Sequence, residues 1–134
     1  MTPRVAVGRR EAFSAAHQLC DPSLSEDENR ARFGDCVNLH GHNYIVEVLV
    51  GGAVDERGYV CDLRTLGEVI RERVVKDVDH RDLNHAVVWL AGRLPTVEVV
   101  AEAIWDRLVD HVPGGRLERV RVFETEKNFA EVSR

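Results

Sequence analysis

The run His40-Gly41-His42-Asn43-Tyr44-Ile45-Val46-Glu47-Val48-Leu49-Val50 decides how the rest of the chain is read. His40, His42, Tyr44, Val46, Val48 and Val50 fall on alternate positions, the period of a strand with one face turned to a core. The two imidazoles therefore project from the same face as the apolar side chains. Gly51-Gly52 weakens or bends the strand, and Asp55-Glu56-Arg57-Gly58 reads as a turn.

Upstream, residues 4–18 alternate in the same way, with Val5, Val7, Phe13, Ala15 and His17 on one face of a first strand. Between the two strands, Asp21 to Asp35 is polar and charged and reads as a long loop with room for one helical turn. Downstream, Asp62 is a candidate N-cap for a helix whose Leu63, Leu66, Ile70 and Val74 recur at helical spacing and which ends near Val78. After the polar stretch 79–85, Pro95-Thr96 opens a second helix presenting Val97, Val100, Ala101, Ile104 and Leu108 on one side, and Pro113-Gly114-Gly115 stops it. Val120, Val122 and Glu124 then share the face of a further strand, and a turn at 126–128 lets residues 129–132 pair back. The order β-β-α-α-β-β predicts a single α+β domain over residues 1–134, a four-stranded antiparallel sheet with two helices on one face. Its exposed edges favour pairing with other copies of the chain.

Composition narrows the function. A chain of 134 residues, 44% hydrophobic and 31% charged, fits one ordinary globular domain. A formal net charge of −5 without a basic patch speaks against a nucleic-acid partner. No apolar run approaches the roughly 20 residues of a membrane span, and the opening Met-Thr-Pro-Arg-Val is not a secretory signal, so the expectation is cytoplasmic. Three cysteines, Cys20, Cys36 and Cys61, suit free or metal-bound thiols rather than a disulfide framework.

If the first two strands are neighbours, His17, His40 and His42 can meet at one cation, and three neutral imidazoles with an open fourth position are a catalytic zinc geometry. A lone His-x-His pair on a strand is more often structural, and a rival arrangement is a closed site of Cys20, Cys36, His40 and His42. Cys36 stands four residues before His40. A thiol beside a divalent cation ionises more readily, which makes Cys36 a candidate general base, whereas an isolated cysteine is commonly buried and inert. Asp79-His80 is a candidate acid–base unit. Glu124, a carboxylate on an apolar strand face, either points outward or meets a donor; two parallel hydrogen bonds from a 2-amino-4-oxo heterocycle would suit it.

Taken in order, Phe13-Ser14-Ala15-Ala16-His17, Cys36-Val37-Asn38-Leu39-His40-Gly41-His42-Asn43-Tyr44, Val78-Asp79-His80-Arg81-Asp82-Leu83-Asn84, Pro95-Thr96-Val97-Glu98 and Glu124-Thr125 resemble the 6-pyruvoyltetrahydropterin synthase superfamily, which includes the bacterial 6-carboxytetrahydropterin synthases. The resemblance covers nearly the whole chain. It implies the tunnelling fold, in which trimers close their sheets into a barrel and pair into hexamers, with active sites between subunits. It implies Zn2+ on His17, His40 and His42, Cys36 as catalytic base, Asp79 and His80 completing a proton-transfer triad from a neighbouring chain, and Glu124 holding the pterin with Thr96 and Glu98 lining its pocket. Lys127 and Arg81 are the candidate triphosphate contacts. The Cys-x-x-x-His-Gly-His spacing resembles the carboxy-forming members, which serve the queuosine pathway; Glu124-Thr125-Glu126-Lys127-Asn128 resembles the pyruvoyl-forming ones. The implied reaction converts 7,8-dihydroneopterin triphosphate to 6-carboxy-5,6,7,8-tetrahydropterin, acetaldehyde and triphosphate. The alternatives are triphosphate elimination to the pyruvoyl product, or a non-catalytic oligomeric module braced by zinc.

Overall fold

The computed structural model describes residues 3–134. Strand β1 (Val5–His17) and strand β2 (His40–Gly52) form an antiparallel pair in continuous register, from Val5 opposite Gly52 to His17 opposite His40. The register puts the two histidine-bearing ends side by side. β2 then pairs with β4 (Arg116–Phe123), and β4 with β5 (Phe129–Ser133), both antiparallel. The sheet has five strands rather than the expected four. The extra one, β3 (Arg81–Asp82), runs parallel to β1 beside Ala15 and Ala16, giving the order β3-β1-β2-β4-β5. Two residues within a polar segment show no alternation, so this strand leaves no periodic signal.

The long loop between β1 and β2 also differs from expectation. It holds a helix, α1 (Glu26–Phe33), followed by a 3-10 turn over Gly34–Val37. Ser25 and Glu28 close a capping box at its start, and buried Asn29 ties it to the loop by accepting from the Asp21 N–H at 2.8 Å and donating to the Asp21 carbonyl at 2.9 Å. Polar groups, not an apolar stripe, fix this helix.

The two helices expected from apolar spacing are present. α2 (Leu63–Ile70) is capped by Asp62, passes through a π-helical turn at Arg71–Val75 and finishes as α3 (Lys76–Val78). α4 (Val97–Leu108) is capped by the Thr96 hydroxyl. Leu66, Ile70, Val74, Val100, Ile104 and Leu108 from these helices are fully buried, as are Tyr44, Val46, Val48, Val50, Val120 and Val122 from the sheet, and together they make one core. The other sheet face carries Glu47, held by Arg10 at 2.7 Å and by Arg121 at 3.4 Å, and Glu131, paired with Arg121 at 2.6 Å. This charged network thus lies on the face away from the core, whereas Arg9 and Glu11 of β1 share the helix side, where Glu11 pairs with Arg71 at 2.6 Å. Gly115, just before β4, has φ +60°, and a Cβ there would lie 2.7 Å from the Gly51 carbonyl, so glycine alone fits that turn.

Leu66 of α2 is fully buried in this core. Leu66→Ala is expected to lower unfolding free energy by about 2–5 kcal/mol, read from urea titrations with an unchanged slope.

Candidate metal centre and active site

The paired ends of β1 and β2 bring His17, His40 and His42 together, with one ligand nitrogen from each within 4.8 Å of the others. The His17 and His42 Nε2 atoms are 3.2 Å apart. Two imidazole nitrogens on a tetrahedral zinc at 2.0–2.1 Å would be separated by about 3.3 Å, so this pair is already at ligand spacing.

Hydrogen bonds select which nitrogen of His17 and His40 is free. His17 Nδ1 is 2.7 Å from the Pro95 carbonyl, and His40 Nδ1 is 2.7 Å from the Asn38 carbonyl. A carbonyl only accepts, so each Nδ1 carries the proton and each Nε2 keeps its lone pair for a cation. The Tyr44 hydroxyl also lies 3.5 Å from His17 Nδ1, but the much shorter Pro95 contact takes the proton. Pro95 and Asn38 are backbone partners that no side-chain pattern announces.

Electrostatics favour neutral ligands. Burial pushes the His17 imidazole below its usual range and outweighs the Pro95 hydrogen bond, which acts upward; the charges of His40 and His42 push further down. Burial likewise lowers His42, against the opposing pull of Glu124. Tyr44 is pushed up by burial and by the Glu124 charge, so its hydroxyl stays protonated. Because the folded state disfavours imidazolium, the unfolded chain binds more protons below its pKa of about 6.5. The stability these groups lend the metal-free protein is therefore present above that pH and lost as pH falls through it. The metal-free melting temperature should drop between about pH 7.5 and 5.5, more steeply than in His17→Gln. Parallel profiles for the two proteins would contradict this assignment.

Glu124 follows β4 directly, and its carboxylate lies 4.0 Å from His42 Nε2. It lines an open cavity of about 560 Å³ together with Val97, Glu98 and Lys127. Thr96 is committed as the α4 cap, accepting from the Val99 N–H at 3.2 Å. The Thr125 hydroxyl, which sequence reasoning leaves without a role, shapes the turn after Glu124 by accepting from the Lys127 and Asn128 N–H groups at 3.1 and 2.9 Å.

Cys36 is exposed in the 3-10 turn, between two tethers of the cluster: its own carbonyl accepts from the Leu19 N–H at 2.8 Å, and Asn38 holds His40. Neither Cys36 nor Cys20 joins the ligand group, so the closed Cys20–Cys36–His40–His42 site is not formed. Asp79 and His80 form the turn immediately before β3. The Asp79 Oδ1 accepts from the Ser14 N–H at 2.9 Å and its Oδ2 is 3.0 Å from His80 Nδ1. The Ser14 hydrogen bond is the main influence holding Asp79 below the usual carboxylate range. His80 adopts a left-handed φ of 61° and its side chain is 82% exposed. Among the described residues, no hydrogen bond or ion pair joins Asp79 or His80 to the three clustered histidines.

Residues 6–134 match the family model described as 6-pyruvoyl tetrahydropterin synthase. The chain belongs to that family. A 6-pyruvoyl tetrahydrobiopterin synthase of Dictyostelium discoideum is 39% identical over 130 residues, covering 96% of each chain. A putative 6-carboxy-5,6,7,8-tetrahydropterin synthase of Archaeoglobus fulgidus is 34% identical over 134 residues and the full length of both. The structure of the Caenorhabditis elegans 6-pyruvoyl tetrahydropterin synthase superposes with a TM-score of 0.88 at 36% identity, covering 98% of this chain and 96% of that one. The α+β fold of this family member, a mostly antiparallel open sheet with helices, is thus that of solved relatives. No helix among the described residues is long and apolar enough to cross a membrane.

Proposed function

We propose that the chain is a Zn2+-dependent lyase acting on 7,8-dihydroneopterin triphosphate and one water molecule, with 6-carboxy-5,6,7,8-tetrahydropterin, acetaldehyde and triphosphate as products, in cytoplasmic 7-deazapurine (queuosine) biosynthesis. The observation that carries the reading is the gathering of three imidazoles, with Nε2 of His17 and His40 left free by their Nδ1 hydrogen bonds and the Glu124 carboxylate 4.0 Å from Nε2 of the third, His42. His17, His40 and His42 are the zinc ligands. A cation there would supply Lewis acidity towards the side-chain hydroxyls of the substrate.

The rest is the work of the chain's own groups. Glu124 accepts the paired N–H donors of the pterin ring, and Glu98 borders the same cavity. Thr96 acts through the α4 cap that sets the position of Glu98. The Cys36 thiolate removes a proton from the substrate side chain. His80, oriented by Asp79 through the 3.0 Å contact, moves protons. Asp79 and His80 come from a neighbouring subunit of a trimer or hexamer, which agrees with their exposure in the single chain and with the open edges of the sheet at β3 and β5.

A second reading, elimination of triphosphate to the pyruvoyl product without side-chain cleavage, has equal support. The Dictyostelium relative is named for that activity and matches at 39% identity, against 34% for the putative carboxy-forming relative. The Cys36-x-x-x-His40 spacing favours the first reading and the Glu124–Asn128 turn the second. Incubation with dihydroneopterin triphosphate decides between them. Acetaldehyde and 6-carboxytetrahydropterin in the mass spectrum are expected; a pyruvoyl product without acetaldehyde selects the second reading. No turnover of this substrate by metal-loaded protein contradicts both.

A further inference from the structure

The segment 92–98 runs past the histidine cluster from one cavity to another. Val97 and Glu98 line the cavity that holds Glu124, and the Pro95 carbonyl holds His17. On the other side of Pro95, Arg93 and Leu94 line a second cavity, of about 450 Å³, with Cys20, Arg32 and Asn84. The wall of this second cavity is fastened to the metal ligand's own strand. Asn84 accepts from the Gln18 N–H and donates to the Gln18 carbonyl, both at 2.9 Å, immediately after His17.

Sheet order gives the same sequence of stations. Glu124 follows β4, His40 and His42 stand on β2, His17 ends β1, and Asn84 follows β3. Neighbouring strands lie about 4.8 Å apart, so the three steps from β4 to β3 cross about 14 Å. A substrate with its ring at Glu124 and its side-chain hydroxyls over the cluster would have its phosphate tail extended towards the second cavity.

We propose that this second cavity binds the triphosphate, with Arg32 and Arg93 as its cationic groups; the assignment rests on the pterin reading above. Two guanidinium groups face one carboxylate there, Asp21. Arg32 touches Asp21 only at 3.5 Å, and Arg93 is paired with Glu102 at 2.7 Å. A planar guanidinium offers five N–H donors in a fork that matches phosphate oxygens, so each arginine retains donors for an anion. A loose, solvent-exposed pair such as Arg32–Asp21 is readily exchanged for a multiply charged ligand. Lys127, by contrast, borders the ring cavity and Arg81 belongs to a third cavity with Lys76 and Trp89.

The test is calorimetric titration of metal-loaded protein with inorganic triphosphate and, separately, with neopterin, which carries no phosphate. Arg32→Gln/Arg93→Gln is expected to bind triphosphate weaker by about tenfold or more while neopterin affinity and metal content stay unchanged. Should that variant fold poorly, Arg93→Lys, which keeps the charge and loses the fork, is expected to show an intermediate triphosphate affinity. Equal triphosphate affinity in wild type and the folded variant, or no triphosphate binding by the wild type, overturns the proposal. Triphosphate binding that depends on the two arginines in a protein that binds no neopterin would uphold the anion site and remove the pterin reading instead.

Discussion

Cys36→Ala is expected to keep its bound metal and to lose turnover by about 10²–10⁴-fold, the usual cost of removing a general base. Two structural facts make the separation clean. Cys36 is outside the group of three histidines able to hold a metal, so its loss removes none of their ligand atoms. It is also exposed, so truncation leaves no cavity in the core. The tethers on either side of it are backbone groups, the Cys36 carbonyl to Leu19 and the Asn38 carbonyl to His40, and alanine preserves both. Metal analysis and initial rates on the same preparation check the prediction. Loss of metal together with activity would place the thiol on the cation and revive a closed site; wild-type rates would remove Cys36 as the base.

His17→Ala should have the complementary effect, abolishing metal binding together with turnover. A cation that binds only the folded state, supplied at about a thousand times its dissociation constant, stabilises by about 4 kcal/mol, which for a domain of this size raises the melting temperature on the order of 10 °C. Wild-type protein should show that rise when zinc is added to the metal-free form, and His17→Ala should show none. His17 is almost fully buried and bonded to Pro95, so the variant also loses packing and leaves a carbonyl unsatisfied. The informative quantity is therefore the metal-induced increment, not the absolute melting temperature. An undiminished increment in His17→Ala would show that the cation binds elsewhere.

The parts of the fold that were legible in the sequence are those governed by burial. Alternation from His40 to Val50 and from Val5 to His17 predicts two strands, and their continuous register follows because a slip by one residue would turn Tyr44, Val46 and Val48 out of the core. The same rule placed His17, His40 and His42 on one face. What stayed hidden is held by polar contacts between distant residues. α1 has no apolar stripe; its Ser25–Glu28 capping box is a sequence signal, but a short one inside a charged run. β3 is two residues long and owes its place to the Asp79–Ser14 and Asn84–Gln18 hydrogen bonds, which join segments about sixty-five residues apart. The Pro95 and Asn38 carbonyls that orient the imidazoles belong to the backbone, so residue type carries no trace of them.

The proposed chemistry needs a cation held by three imidazoles and otherwise open. X-ray absorption at the zinc edge of metal-loaded protein measures the coordination shell directly. Three imidazole nitrogens with a light oxygen donor completing the shell are predicted, unchanged in Cys36→Ala. Sulfur among the ligands, or a fourth protein side chain closing the shell, would contradict it.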